Sequence, residues 1–287
     1  MGNGTDPTQP ECSLWEEASS TVDAFAHRLH MGDDGGMSTR SDDLGTPYTG
    51  PEVVTRVVSL VPSLTESIAA TRPEALVAAT DWCTHPADLD VPRVRGTKNP
   101  DLAAIAALQP ELVVCNKEEN RELDVRRLRE KGIAVWVTVT ESVPQALDSL
   151  HRLFTEALGW DVPAWLTTAS HAWSHPVPEV HTRAAIPIWR DPWMVVGSST
   201  FTGDLVRRLG VQNVFADHPD RYPHTDPDAI HAAEPDVVLL PDEPYTFTAD
   251  DGPEAFTVPT RLVSGRQLTW YGPSLIEAAD LFTPRPE

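Results

Sequence analysis

Twice along this chain a short helical stretch ends in a proline–acid step and runs directly into an apolar strand. The first instance is Leu108-Gln109-Pro110-Glu111-Leu112-Val113-Val114, the second Ala233-Glu234-Pro235-Asp236-Val237-Val238-Leu239. A strand that reads as an unbroken apolar run is buried on both faces, which is the habit of parallel sheets covered by helices. Each step sits late in a series that opens alike. A strand leads to Pro62-Ser63-Leu64-Thr65 and a helix in the first series, and to Gly197-Ser198-Ser199-Thr200 and a helix in the second. Helix–proline–acid–strand is also ordinary α/β punctuation. The shared order favours a quasi-repeat of one lobe, and the alternation of strand and helix makes both lobes Rossmann-like, with parallel sheets.

Between the two series lies a helical connector. Leu147, Leu150, Phe154 and Leu158 recur at helical spacing over Pro144–Leu158. Asp161-Val162-Pro163 interrupts it, and helical character resumes to about Trp173. The expected organisation is a disordered acidic extension (1–50), an N-terminal α/β lobe (51–142), the connector (143–182) and a C-terminal α/β lobe (183–287). Order is expected from Thr55. Thr55–Val61 reads as a strand, followed by a helix opened by a capping box with Ser63 at the N-cap and Glu66 at its third position. Strands are expected at Leu76–Thr80, Leu112–Cys115 and Ile133–Val139, with helices at Pro100–Leu108 and Glu119–Lys131. The second lobe reads as strands at Ala185–Trp189, Trp193–Val196, Asp236–Leu240 and Thr260–Val263. Its helices are Phe201–Leu209, Pro227–Ala233 and Pro273–Leu281. Two lobes on one connector place a ligand cleft between them.

Charge removes several functions. The formal net charge is −21, so nucleic acid and anionic lipid surfaces are repelled, and no basic stripe offsets this. No stretch approaches the ~20 apolar residues of a membrane span. Residues 1–50 show neither a basic segment followed by an apolar one nor an apolar run before Cys12. As written the chain therefore reads as cytoplasmic. Cys83 and Cys115 read as two buried free thiols rather than a pair. No dinucleotide or phosphate-loop motif and no nucleophile elbow is present; Gly197-Ser198-Ser199 lacks the glycine that would complete one. His171 and His175 have a spacing that chelates metals on helices, but beside Pro176 they read as surface histidines. No catalytic set, resident metal or cofactor is expected.

Aromatic placement is the positive signal. Trp82, Trp189, Trp193, Tyr222, Tyr245, Phe247, Trp270 and Tyr271 all fall at or just past expected strand ends. Polar residues accompany them: His85, Lys98, Lys117, Asn120, Arg190 and Glu243. Such a set lines a site for a large, flat or partly aromatic small molecule.

Several segments carry a family resemblance. Arg56-Val57-Val58-Ser59-Leu60-Val61-Pro62-Ser63-Leu64-Thr65-Glu66 resembles the opening of the cobalamin- and siderophore-binding receptors of ABC importers. Leu108–Val114, Ile188-Trp189-Arg190-Asp191-Pro192-Trp193, Gly210–Asp217 and Arg221-Tyr222-Pro223 are similar to later segments of that family. Asp242-Glu243-Pro244-Tyr245-Thr246-Phe247 and Trp270-Tyr271-Gly272 resemble its helical-backbone metal-receptor branch. The resemblance spans about Thr55 to Leu281. It implies two lobes on a helical bridge, a metal chelate as ligand, a monomer without catalysis, and docking onto a permease dimer through one acid per lobe. Glu66 matches the first docking acid and Asp228 the second. A corrinoid suits the tryptophan-rich cleft better than an anionic siderophore or haem. The family is extracytoplasmic, against the missing export signal; a cytoplasmic corrinoid carrier on the same fold is the alternative.

Overall fold

In the computed structural model, which describes residues 40–282, the two proline–acid steps perform the same task in two places. Helices α2 (Leu102–Ala107) and α7 (Pro227–Ala232) are each capped by an aspartate, Asp101 and Asp226. Each helix is followed by a residue with left-handed backbone, Gln109 (φ 47°) and Glu234 (φ 51°), directly before its proline. The next acid reaches back to the first strand of its lobe. Glu111 Oε2 accepts from the N–H of Thr55 (2.6 Å) and Arg56 (3.1 Å), and Asp236 Oδ2 accepts from the N–H of Arg183 (2.8 Å). An arginine returns the exchange: Arg56 donates to the Leu108 carbonyl (2.6 Å), Arg183 to that of Ala233 (2.9 Å). The acid is there because these strand-entry N–H groups need an acceptor.

The sheets repeat likewise. β1 (Val57–Ser59), β2 (Leu76–Ala79), β3 (Leu112–Asn116) and β4 (Val135–Thr138) form a parallel sheet in the order β2-β1-β3-β4. In the second lobe β5 (Thr182–Ala185), β8 (Val211–Asn213), β10 (Val237–Pro241) and β11 (Thr260–Val263) run parallel in the order β11-β10-β5-β8. Counted within its own lobe, and with the second sheet read from its β8 edge, each order is second, first, third, fourth. The second lobe adds an antiparallel sheet of β6 (Pro187–Trp189), β7 (Trp193–Val195) and β9 (His224–Thr225).

Alternate residues of the central strands enter different cores. Val57, Leu112 and Val114 join a large cluster that also takes Leu150, Phe154 and Leu158 of the connector and, from the second lobe, Leu275 with Phe201 and Leu205 of α6 (Phe201–Arg208). Val58, Val113 and Cys115 face a second cluster, and Val238 and Leu240 a third. The connector is thus the apolar mortar between lobes. It consists of α4 (Val143–Arg152), a wider π turn (Leu153–Leu158) and α5 (Ala164–Ala172). Gly159 breaks it with φ 65°, where a Cβ would lie 1.9 Å from the Glu52 carbonyl oxygen, so no other residue fits.

Several expectations need correction. Ser63 caps nothing: α1 spans Pro62–Ala69 with Val61 at the N-cap and no side-chain cap. Proline's fixed φ suits the first helical turn, so the helix starts earlier than the capping box would have it. Ala185–Trp189 is not one strand, because the chain leaves the parallel sheet after Ala185 and enters the antiparallel one at Pro187. Pro273–Leu281 shortens to α9 (Ser274–Ala278), preceded by an unforeseen α8 (Gly265–Thr269). Cys83 and Cys115, by contrast, are buried free thiols as expected.

The acidic extension is not disordered throughout. Residues 1–39 lie outside the described residues, but from Arg40 onward the chain is sewn to the first lobe. Asp42 is 3% exposed and pairs with Arg129 at 2.6 Å. Asp43 pairs with Arg152 at 2.6 Å and accepts from the Val139 N–H at 2.9 Å. Tyr48 packs edge-on against Trp136, with ring centroids 5.7 Å apart. Asp42 and Asp43, assigned on sequence to a disordered extension, are thus the partners of half-buried arginines on α3 (Glu122–Glu130) and α4.

Candidate functional site

The loops that follow the parallel strands of the two lobes meet along one seam. From the first lobe come Thr80–His85 after β2, Lys117–Asn120 after β3 and Val139–Ser142 after β4. From the second come Arg221-Tyr222, Asp242–Tyr245 after β10, and α8 with Trp270–Gly272. The meeting is close. A Cβ on Gly272 would fall 2.8 Å from Ser67 Oγ and 3.1 Å from the Ser63 carbonyl, so glycine lets the second lobe lie against α1.

Side-chain contacts cross the seam along its length. Arg221 donates to Glu118 Oε2 (3.0 Å) and Glu141 Oε1 (3.1 Å). Tyr271 Oη donates to Glu119 Oε1 (3.0 Å). The His85 and Trp270 rings meet edge to face at 5.3 Å. Arg266 Nε donates to Glu66 Oε1 (3.0 Å), while its Nη1 donates to Glu277 (3.0 Å).

The seam distorts the titration of its acids. Burial pushes Glu119 up to about 7 against the opposing hydrogen bond from Tyr271, and Glu118 and Glu243 add repulsion. Glu243 is also raised, by burial and then by Asp242, although the Trp270 side chain hydrogen-bonds to it. Burial raises Tyr222 and Tyr271 well above the usual phenol range, and neighbouring glutamates add to this. Arg221 loses hydration, yet Glu118 and Glu141 more than hold its charge. Three carboxylate oxygens, Glu66 Oε2, Glu118 Oε1 and Glu243 Oε1, are buried without a well-formed hydrogen bond among the described residues.

The residues singled out on the sequence fall into three groups. His85, Lys98, Asn120, Tyr222, Glu243, Trp270 and Tyr271 lie on the seam, with Trp82 (56% exposed) and Lys117 exposed at its first-lobe side. Asn120 is tied into the fold: it accepts from the Asn116 N–H at 2.9 Å and donates to the carbonyls of Leu60 and Thr97. Lys98 donates to the Glu118 carbonyl at 2.6 Å. The second group is Trp189, Arg190, Trp193, Tyr245 and Phe247 around the antiparallel sheet. Trp193 and Phe247 are buried in the third core and stack at 5.8 Å, Trp189 meets Tyr245 edge-on at 5.6 Å, and Arg190 is held by Asp251 and Glu254. The groups meet in the loop after β10. The third group is the two docking acids. Asp228 is exposed in the first turn of α7, whereas Glu66 is 7% exposed and already paired with Arg266.

Sequence reasoning missed Arg221, Arg266, Glu118, Glu119 and Glu141. Only Arg221 had a signal, its place beside Tyr222-Pro223. It also missed a groove of about 580 Å³ that borders the seam at Glu141 and Ser142 and runs past Ser198, Ser199 and Asn213 to Arg207. His171 and His175 are exposed with rings 6.2 Å apart. Among the described residues no group of three or more His, Cys, Asp or Glu is arranged to hold a metal ion, and no helix is long and apolar enough to cross a membrane.

Two parallel-sheet lobes of one topology, closed on a helical bridge, define the fold of two-lobed solute-binding proteins. No family model matches the chain. It is 23% identical over 237 residues to a vitamin B12-binding protein of Pectobacterium carotovorum, covering 78% of this chain and 85% of that one. It is 21% identical to a vitamin B12-binding protein of Vibrio cholerae, covering 64% and 69%. Among solved structures, the periplasmic vitamin B12-binding protein BtuF of Vibrio cholerae superposes with a TM-score of 0.67 at 16% identity, covering 79% and 94%. A periplasmic heme-binding protein of Pseudomonas aeruginosa superposes at 0.66 and 19% identity, covering 82% and 95%. The resemblance to the cobalamin and iron-siderophore receptors of ABC importers therefore holds in both sequence and fold.

Proposed function

We propose that this chain is the solute-binding component of an ABC-type importer and that it captures a metal chelate, a corrinoid in preference to haem or a ferric siderophore. The observation that carries the reading is the seam, where strand-end loops of two like lobes bring Trp82, His85 and Trp270 beside hydrogen-bonding side chains. A flat macrocycle is recognised by that combination: aromatic faces for its rings, and fixed polar groups for its rim. The similar proteins are named for binding vitamin B12 or heme, and several are called periplasmic. That favours a receptor acting outside the cytoplasm and lends nothing to the cytoplasmic carrier.

Docking onto a permease follows from the same reading. Asp228 is ready for it on the surface of the second lobe. Glu66 serves only where a permease arginine replaces Arg266, since the carboxylate is already engaged.

Titration of the purified chain with cyanocobalamin, cobinamide, haemin and a ferric hydroxamate, followed by tryptophan fluorescence and calorimetry, tests the ligand. Saturable one-to-one binding of the corrinoids alone is the expected result. Silence from all four refutes the proposed ligand class.

A further inference from the structure

Arg221 is a cation that spans the two lobes, and its charge is already matched. Its two terminal nitrogens are taken by carboxylates from separate loops of the first lobe, Glu118 at 3.0 Å and Glu141 at 3.1 Å. Arg266, farther along the seam, is taken in the same way by Glu66 and Glu277. Planar guanidinium groups are the usual partners of carboxylate-bearing ligands, through paired N–H···O bonds. Here each guanidinium already carries two internal carboxylates. A ligand carboxylate approaching Arg221 would meet a charge already balanced and lie against both glutamates, like charge on like charge. Lys98 is tied to the Glu118 carbonyl, and Lys117 is exposed at the rim. Meanwhile Glu66 Oε2, Glu118 Oε1 and Glu243 Oε1 are buried acceptors without a well-formed hydrogen bond. Buried acceptors in want of donors suit a ligand that brings N–H groups.

Resting on the reading of the seam as a chelate site, we infer that Glu118 and Glu141 are specificity-determining residues. By masking Arg221 they make the cleft accept neutral or cationic, amide-bearing macrocycles and refuse carboxylate-bearing ones. Specificity of this kind comes from the unfavourable pairing built against the wrong ligand.

The test uses the full chain, with dicyanocobinamide as the amide-bearing probe and haemin as the carboxylate-bearing one. The unaltered chain should bind haemin at least about ten-fold more weakly than cobinamide. The double variant Glu118→Gln, Glu141→Gln releases Arg221 and should tighten haemin binding by about ten-fold or more. Adding Arg221→Met to that variant should abolish the gain, which separates a freed guanidinium from mere loss of negative charge. Circular dichroism and urea midpoints verify that each variant is folded; where the double variant is not, Glu141→Gln alone, expected to give a smaller gain, takes its place. Equal affinity of the unaltered chain for both probes overturns the inference, as does a haemin gain that survives Arg221→Met, or no gain at all. Failure of the unaltered chain to bind cobinamide counts against the proposed function instead, and the haemin comparison between variants still decides the masking.

Discussion

Tyr271 Oη donates a 3.0 Å hydrogen bond to Glu119 Oε1 across the seam between the lobes. The carboxyl it meets is pushed up to about 7, chiefly by burial. The folded chain thus keeps a proton that the unfolded chain gives up at about 4.5. Stability from this group is fully present below about pH 4.5, falls as pH rises to about 7, and is level above that. A shift of this size corresponds to about 2 kcal/mol once partial solvent contact is allowed for. Urea midpoints at about pH 5 and about pH 8 should differ accordingly. Glu119→Gln, which keeps the acceptor and removes the proton, should flatten that difference; an unchanged slope would place the titrating group elsewhere.

Arg266 and Glu66 form a further cross-lobe ion pair, with Glu66 only 7% exposed. Taking away one member of a buried pair strands the other. Arg266→Met is therefore expected to cost on the order of 3 kcal/mol. Adding Glu66→Gln to it should restore a large part of the loss, because no charge is then left unpaired. A double-mutant cycle by chemical denaturation reads the coupling. Simple additivity of the two variants would mean that the pair is not formed in solution.

Glu111 and Asp236 are equivalent caps on the first strands of the two lobes. Both are partly solvated, so each is worth the net value of a hydrogen bond or two, about 1 kcal/mol. Glu111→Ala and Asp236→Ala should lower stability by similar amounts. If hydrogen exchange showed faster opening of β1 in the first variant and of β5 in the second, the repeat would extend to local stability as well. Opening of the same strand in both would refute the equivalence.

Much of the fold was legible because it rests on short-range signals. The apolar runs of β3 and β10 declared parallel, doubly covered strands, and the spacing of Leu147, Leu150, Phe154 and Leu158 declared the connector. The elements that escaped are those without room for a pattern: β8, β9 and α8 are three, two and five residues long. The seam was legible as aromatics at strand ends, but not as charge. Glu66 and Arg266 are separated by 200 positions, and nothing local in either neighbourhood announces the other. Glu66 even carried a local explanation, the capping box, that Pro62 pre-empted. Part of the aromatic set lies away from the seam for a related reason. Alternation cannot tell Trp193, which turns into the third core, from Trp82, which turns to solvent.

That contrast yields a prediction that separates binding from packing. Trp82 is 56% exposed, while Trp270 is 5% exposed and packed edge-on against His85. A large aromatic left in water is stabilised by little in the free protein, so Trp82→Ala should alter stability by no more than about 0.5 kcal/mol. Trp270→Ala removes a buried ring and should cost about 3 kcal/mol. Trp82 is open to a macrocycle on the seam, and Trp270 lies behind it against His85; together the two substitutions should weaken corrinoid binding by about 1–3 kcal/mol through lost aromatic burial. Calorimetric titration of the single variants is the cleaner reading, because Trp82→Ala should lose affinity while keeping its unfolding midpoint. If its affinity were unchanged, the ligand would lie away from the β2 loop, and the groove past Ser198, Ser199 and Asn213 would be the next surface to mutate.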